Sequence, residues 1–203
     1  VDMIRKSSPD SLSIMELTSE MDMQISEKLL RFPLLGEDIP DKWKVKLKQE
    51  FNMTNDSHLF RTEPAAGRLP LYEGKMMHQF THQWGKPKYW LDEAEARKAL
   101  LGKTKDTGQT LDYETYRLGF RDIAASTNER TMIMTVLPPN VFCPHTMPVE
   151  KIDGAINYAE RLFLCSVFDS FVIDNWLRQR ITSHLSFFFI YGLPIPRYSS
   201  GDP

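Results

Sequence analysis

Glu73-Gly74-Lys75 is a Glu-x-Lys triplet, and Pro40-Asp41 lies upstream of it. In metal-dependent nucleases an Asp and the Glu of such a triplet hold Mg²⁺, while the Lys orients or activates the attacking water. A three-residue pattern recurs by chance, however, and Asp41 lies in a proline-bounded stretch rather than inside a convincing strand. The plainer expectation is a turn in which Gly74 adopts positive φ and Glu73 pairs locally. Lys75, His78, Gln79 and His82 suit binding better than catalysis. Along a strand Lys75, Met77 and Gln79 share one face; on a helix Lys75, His78, Gln79 and His82 form a polar stripe. Gln can address adenine with two hydrogen bonds, and Lys can reach phosphate or guanine. The competing role for Gln79 and His78 is to satisfy buried backbone groups at a loop junction.

RDIAASTNERT, residues 121–131, sets Arg121 and Arg130 around Ser126, Thr127 and Asn128, with Thr131 closing the run. Short polar residues of this kind make tight turns that expose backbone amides and side-chain donors, a common way to hold phosphate. Surface pairing of Arg121 with Asp122 or Glu129 is the alternative, and it would contribute little. Further on, Ser183 and His184 stand in the turn before the last apolar run, as phosphate or scaffold contacts. Arg178 and Arg180 fall at an expected helix C-terminus, where cations are favoured with or without a ligand. Cys143-Pro144-His145 pairs a thiol with an imidazole, but two residues cannot complete a metal shell, and an ordinary loop is expected there.

The elements that must position these groups can be read from pattern. SEMDMQISEKLLRF places Met21, Ile25 and Leu29 on one helical face, with Ser19 as a cap. SSPDSLS before it is loop-like, and Pro33, Gly36 and Pro40 break the chain, so residues 1–40 are expected to form a helical connector arm and 41–203 the main domain. From Trp43, WKVKLKQEF alternates like a strand with one wet face. LPLYEG, YRLGFRDIAA and ERTMIMTVLP supply further strands, and DEAEARKALL a short helix within a polar insertion over 85–115. DGAINYAERLFLCSVFDSFVIDNWLRQR reads as one or two amphipathic helices, and HLSFFFIYGLPIP as a short apolar strand. The order implies an α+β fold: a twisted mixed β-sheet flanked by C-terminal helices, with a long insertion on one edge.

The chain has 203 residues, 41% hydrophobic and 26% charged, enough for a sizeable core. A net charge of −2 excludes a generally basic protein, so a polyanion would have to meet a local patch. No run approaches the ~18 uninterrupted apolar residues of a membrane span, and the first residues lack a signal-peptide core. A cytoplasmic protein without a membrane partner is expected. Cys143 and Cys165 suggest no secreted disulfide framework.

Four ordered blocks carry a resemblance: FNMTNDSHLF (51–60), LPLYEGKMMHQFTHQW (69–84), YRLGFRDIAASTNERTMIMTVLPP (116–139) and SVFDSFVIDNWLRQRITSHLSFFFIYGLPIP (166–196). Together they resemble the C-terminal specificity, or target recognition, domain of TaqI-like and type IIG restriction-modification enzymes and related adenine-N6 DNA methyltransferases, including those of phage-defence systems. The resemblance covers roughly Trp43 to Pro196 and leaves residues 1–40 outside. It implies a module that reads bases in the major groove while a separate core flips and methylates an adenine. The chain has no Asn-Pro-Pro-aromatic tetrapeptide and no glycine-rich AdoMet loop; LPPN at 137–140 has the wrong order to substitute.

The resemblance therefore implies a non-catalytic part with no metal and no cofactor of its own, AdoMet being held by an associated methyltransferase domain or subunit. Double-stranded DNA and that methyltransferase are the implied partners. The DNA-contacting residues expected on this reading are Lys75, His78, Gln79, His82, Arg121, Asn128, Arg130, Thr131, Ser183 and His184, converging on one face. The rivals are a Mg²⁺-dependent nuclease using Asp41, Glu73 and Lys75, and a protein-interaction module docking a methyltransferase core through its 1–40 arm.

Overall fold

A computed structural model describes residues 17, 19–153 and 155–198 of the chain. The loop expected over SSPDSLS lies outside the described residues. The fold is α+β, with five α-helices among the described residues and antiparallel sheets. The chain divides into two units. The first comprises the described residues up to Val45, then Ile123–Met132, then residues 155–198; the second comprises Lys46–Asp122 and Ile133–Asp153.

In the first unit, α1 (Glu20–Leu29) begins where expected. The Asp22 amide donates to Ser19 Oγ at 3.1 Å and the Ser19 amide to the Asp22 carboxylate at 3.0 Å, so each satisfies an amide the helix leaves open. The expected C-terminal helical segment is two helices, α3 (Tyr158–Phe168) and α4 (Phe171–Arg178). Asn157 caps the first of these, and Ser170 Oγ, accepting from the Ile173 amide, restarts the chain as the second.

The last apolar run is a helix, α5 (Phe187–Tyr191), not the expected strand. A short apolar run has no period to separate the two; the helix follows Ser186, whose side chain makes no cap hydrogen bond, and ends where the Gly192 amide donates to Phe188 O at 3.0 Å. Leu34, Leu35, Trp43, Phe168, Trp176, Ile190 and Leu193 are among the buried residues of this unit.

Residues of the expected arm take part in this unit. The Leu35 amide donates to Leu193 O at 2.7 Å, and Gly36 N to Tyr191 O at 2.8 Å. Arg197 donates to the carbonyls of Trp43 (2.7 Å), Leu34 (2.9 Å) and Leu35, with its guanidinium 4.9 Å from the Trp43 ring centroid. Trp43 Nε1 in turn donates to Tyr198 O at 2.6 Å.

The second unit holds a four-stranded sheet ordered β1 (Leu47–Lys48), β6 (Val149–Glu150), β4 (Arg117–Phe120), β5 (Met134–Leu137). β2 (Arg68–Leu71) and β3 (Tyr89–Asp92) form a separate antiparallel pair. The named strands pair antiparallel, and parallel pairing is confined to single bridges, Phe51 with Pro144 and Leu71 with Phe142. The alternating run from Trp43 gives only the two-residue β1, because Trp43 and Val45 are buried in the first unit. The insertion over 85–115 is built, carrying β3 and α2 (Glu93–Leu101).

Beneath β4 the buried Arg117 guanidinium meets the equally buried Glu50 carboxylate at 2.5 Å and donates to Val141 O at 2.7 Å. Burial works most strongly against the Arg117 charge, but Glu50, with Cys143 and Asp112 adding to it, holds the pKa above its ordinary value. Burial also pushes the neighbouring Cys143 thiol up to about 12, so this cysteine is an inert core residue.

Candidate nucleic-acid interface

The polar segment of the second unit starts where β2 ends. Gly74–Met76 make one 3₁₀ turn, closed by Met76 N donating to Glu73 O at 2.8 Å. Met76 and Met77 are both buried, so neither the alternating face nor the helical stripe forms. Arg121, just past β4, supplies the reason. Its Nε donates to Gly74 O at 2.5 Å and its guanidinium also donates to Met77 O, pinning the turn. A Cβ at Gly74 would stand 3.0 Å from Arg121 Cγ. Close approach therefore requires this glycine, and the expected positive φ is absent: it falls on Phe80 instead, at 61°. Burial lowers the Arg121 pKa from its ordinary value, and with two backbone carbonyls to serve, Arg121 acts as a brace.

Beyond Met77 the backbones of His78 and Thr81 exchange both hydrogen bonds, at 2.9 and 3.1 Å, leaving Gln79 and Phe80 as a two-residue tip. Such tight connections call for positive φ, which Phe80 supplies. Trp84 N and Gly85 N both donate to Met76 O, at 2.9 and 3.2 Å, so the loop closes on its own base. Lys75 is exposed and lies 3.1 Å from Glu73, the local pairing expected of that carboxylate. His78 is half-buried with its ring 4.7 Å from that of Trp84, and Gln79 is half-buried at the tip. His82 turns inward: its ring lies 6.2 Å from Tyr72, and its buried Nδ1 has no hydrogen-bond partner among the described residues.

In the first unit the 123–132 segment is fastened from below by α4. Asp174 Oδ1 accepts from the amides of Thr131 (2.7 Å) and Met132 (2.9 Å), and its Oδ2 from Arg178 Nε (2.7 Å). Arg178 also donates to Ser126 O at 2.7 Å and to Glu129 O. Thr131 is buried, its hydroxyl donating to Ala125 O at 3.1 Å. The Arg130 side chain is only 9% exposed, donates to Asp169 O at 2.5 Å and lies 4.3 Å from the Phe171 ring centroid. Asn128 is exposed on this loop. Ser183 and His184, also exposed, come alongside it through Ala124 N donating to Ser183 O at 3.1 Å and a bridge between Ile123 and His184.

The ten residues singled out by sequence thus fall in two places, Lys75, His78, Gln79, His82 and Arg121 in the second unit and Asn128, Arg130, Thr131, Ser183 and His184 in the first. Lys75, His78, Gln79, Asn128, Ser183 and His184 retain solvent exposure, whereas Arg121, Arg130 and Thr131 make internal contacts. Sequence reasoning missed Phe80 and Trp84, which are 65% and 64% exposed; Arg178, expected at a helix C-terminus and found there, also ties the first unit's loop to its helix. An aromatic within a run of polar residues was the available signal for the first two.

Asp41 lies in the first unit and Glu73 and Lys75 in the second. Among the described residues no group of three or more His, Cys, Asp or Glu could hold a metal ion, and no helix is long and apolar enough to cross a membrane.

No protein-family model matches the chain, and no curated protein matches it. Solved structures do. One, from work on the structural basis underlying complex assembly and conformational transition of the type I R-M system, is 11% identical over 88% of this chain and 41% of its own, with a TM-score of 0.45. A second, the crystal structure of the HsdS subunit from Thermoanaerobacter tengcongensis, is 12% identical over 88% of this chain and 39% of its own, with a TM-score of 0.42. The chain therefore spans about two fifths of the length of each solved chain it resembles.

Proposed function

We propose that the chain is a sequence-specific DNA recognition module of a restriction-modification or phage-defence system, non-catalytic by itself and working in the cytoplasm beside an adenine-N6 methyltransferase domain or subunit that binds AdoMet. The setting named for the two solved structures, a type I R-M system and its HsdS subunit, is an alternative to the TaqI-like or type IIG setting implied by the sequence blocks. The observation that carries the reading is the braced hairpin of the second unit. It lies within one of the four resembling blocks and holds Lys75 in the turn at its base and His78 and Gln79 at and beside its tip. Fixing polar groups on a rigid base before binding is what base readout needs, because a side chain that must first be ordered loses discrimination.

On this reading Lys75 contacts phosphate, and Gln79, with His78 beside it, addresses a base edge. Asn128, Ser183 and His184 form a second contact set, while Arg121, Arg130 and Thr131 hold the two loops in shape. His82 acts from inside the hairpin.

Binding to 25-base-pair duplexes, followed by fluorescence anisotropy at two or more salt concentrations, tests the proposal. Lys75→Ala should weaken binding across all sequences and lower the slope of log K against log salt by about 0.9. Gln79→Ala should instead relax preference at one position, costing about 1–3 kcal/mol of discrimination there. Unchanged binding in Lys75→Ala, Gln79→Ala and Asn128→Ala would remove the proposed surface.

A partner-docking role for the first unit has one observation in its favour. A largely apolar groove of about 320 Å³ runs between α1 and the α3–α4 corner, lined by residues that include Leu29, Phe32, Val167, Val172, Ile173 and Pro194. Leu29 and Phe32 belong to the expected arm, so the arm would supply one wall of a methyltransferase-docking site. Binding to a methyltransferase core with no preference among DNA sequences would favour this reading over base recognition.

A further inference from the structure

Phe80 and Trp84 stand out because each exposes a large aromatic surface, 65% and 64%, within one short braced loop. They lie on either side of His78's hydrogen-bonded partner Thr81, and the loop that carries them is closed by the bonds from Trp84 N and Gly85 N to Met76 O. Phe80 sits at φ 61°, a conformation uncommon for a bulky side chain. Glycine or asparagine would occupy that corner at less cost, so the chain carries the aromatic ring there against the backbone's preference. Trp84 leans on the His78 imidazole at 4.7 Å with a 37° tilt, which supports the indole while most of its surface stays in solvent.

The surroundings fit a polyanion. Between residues 71 and 90 there are three lysines, Lys75, Lys86 and Lys88, against the single carboxylate of Glu73. At the loop's base the backbones of Lys75 and Gly85 approach closely, a Cβ on Gly85 lying 3.0 Å from Lys75 O, so Lys86 follows directly on that contact; the Lys75 ammonium lies 3.1 Å from Glu73. An aromatic surface flanked by cations matches the chemistry of a nucleobase on a phosphate backbone, whose ring stacks while its phosphates meet the lysines. A fully stacked duplex offers few exposed base faces, so the preferred occupant is a base outside the stack.

We propose that Phe80 and Trp84 form a stacking site for an unstacked nucleobase, flanked by Lys75 and Lys86. The inference rests on the DNA-binding reading and adds to it a preference for locally unpaired DNA.

Trp84 provides its own reporter. Of the chain's four tryptophans, Trp43 and Trp176 are buried and Trp90 is half-buried, leaving Trp84 as the one that acrylamide should quench most. The experiment titrates the full chain with a single-stranded 20-mer, a 25-base-pair duplex, and that duplex carrying one bulged nucleotide. It follows both anisotropy and acrylamide quenching.

The expected result is tighter binding to the bulged duplex and the single strand than to the paired duplex, with Trp84 protected from quencher. Phe80→Gly, which keeps the positive-φ corner and removes only the ring, should weaken binding to the unpaired probes by about tenfold. It should leave the paired duplex within about twofold, and Trp84→Leu should abolish the protection. Far-UV circular dichroism checks that both variants stay folded.

Equal losses for paired and unpaired probes, or no loss at all, would overturn the stacking site while leaving duplex recognition standing. Stacking with single strands but no duplex binding would instead remove the recognition reading and keep the site. Binding of no probe would overturn both.

Discussion

In the second unit the exposed polar segment rests on one side chain, Arg121, whose donors are taken up by the Gly74 and Met77 carbonyls. In the first unit the 123–132 segment rests on a carboxylate, Asp174, which gathers two amides and the Arg178 guanidinium, and Arg178 continues to two more carbonyls. Each loop is thus held by a charged group that turns inward, and in the second unit that group, Arg121, is one whose type and place in the sequence suggested ligand binding. The groups left toward solvent are milder: a lysine, an amide and the aromatics Phe80 and Trp84 in one unit, an asparagine, a serine and a histidine in the other. Arginine in a polar loop is as apt to satisfy the loop's own carbonyls as to reach outward, because five fixed donors suit a convergent set of backbone oxygens.

The comparison can be broken most severely at the base of the second unit. Arg117→Ala would leave the Glu50 carboxylate buried without its guanidinium and should cost about 3–5 kcal/mol in urea unfolding. In the first unit Asp174→Ala should cost about 2–3 kcal/mol, since two buried amides lose their acceptor. Hydrogen exchange at the amides of Thr131 and Met132 should accelerate with it. Gly74→Ala sharpens the contrast more gently. The new methyl would press on a pinned Arg121 side chain and cost about 1 kcal/mol, with a matching loss of order at the His78–Thr81 tip visible by NMR.

The smallest effect concerns the rim of the second unit. Arg97 holds the Asp106 carboxyl down to about 2, with the Gly108 amide assisting. A carboxylate lowered in the folded state adds stability above its unfolded pKa and loses it as pH falls toward 2. Asp106→Asn should therefore flatten the acid limb of the stability curve slightly between about pH 4 and 2, as followed by thermal melting.

Much of the fold was legible because its signals are local. The Ser19 cap, the short helix in DEAEARKALL, and the strand-like runs around Leu118 and Val136 depend on neighbours a few residues away. Phe187–Tyr191 was misread because an unbroken apolar run carries no period, and the strand from Trp43 failed because its alternating residues divide between two units. At the candidate site, the duties of Arg121 and Arg130 were hidden by distance along the chain: their acceptors lie 44–47 and 39 residues away. A positive φ at Phe80 runs against residue preference, so Gly74 attracted the expectation instead.

The Arg197 guanidinium, spread over carbonyls of Leu34, Leu35 and Trp43, spans more than 150 residues of sequence with one side chain. A stop codon introduced ahead of Arg197 would strip the acceptors' common donor and the Tyr198 carbonyl that Trp43 uses, freeing an early stretch of chain far from the cut. Anyone shortening this polypeptide for expression should accordingly expect damage near residue 35, and should keep the tail through Tyr198.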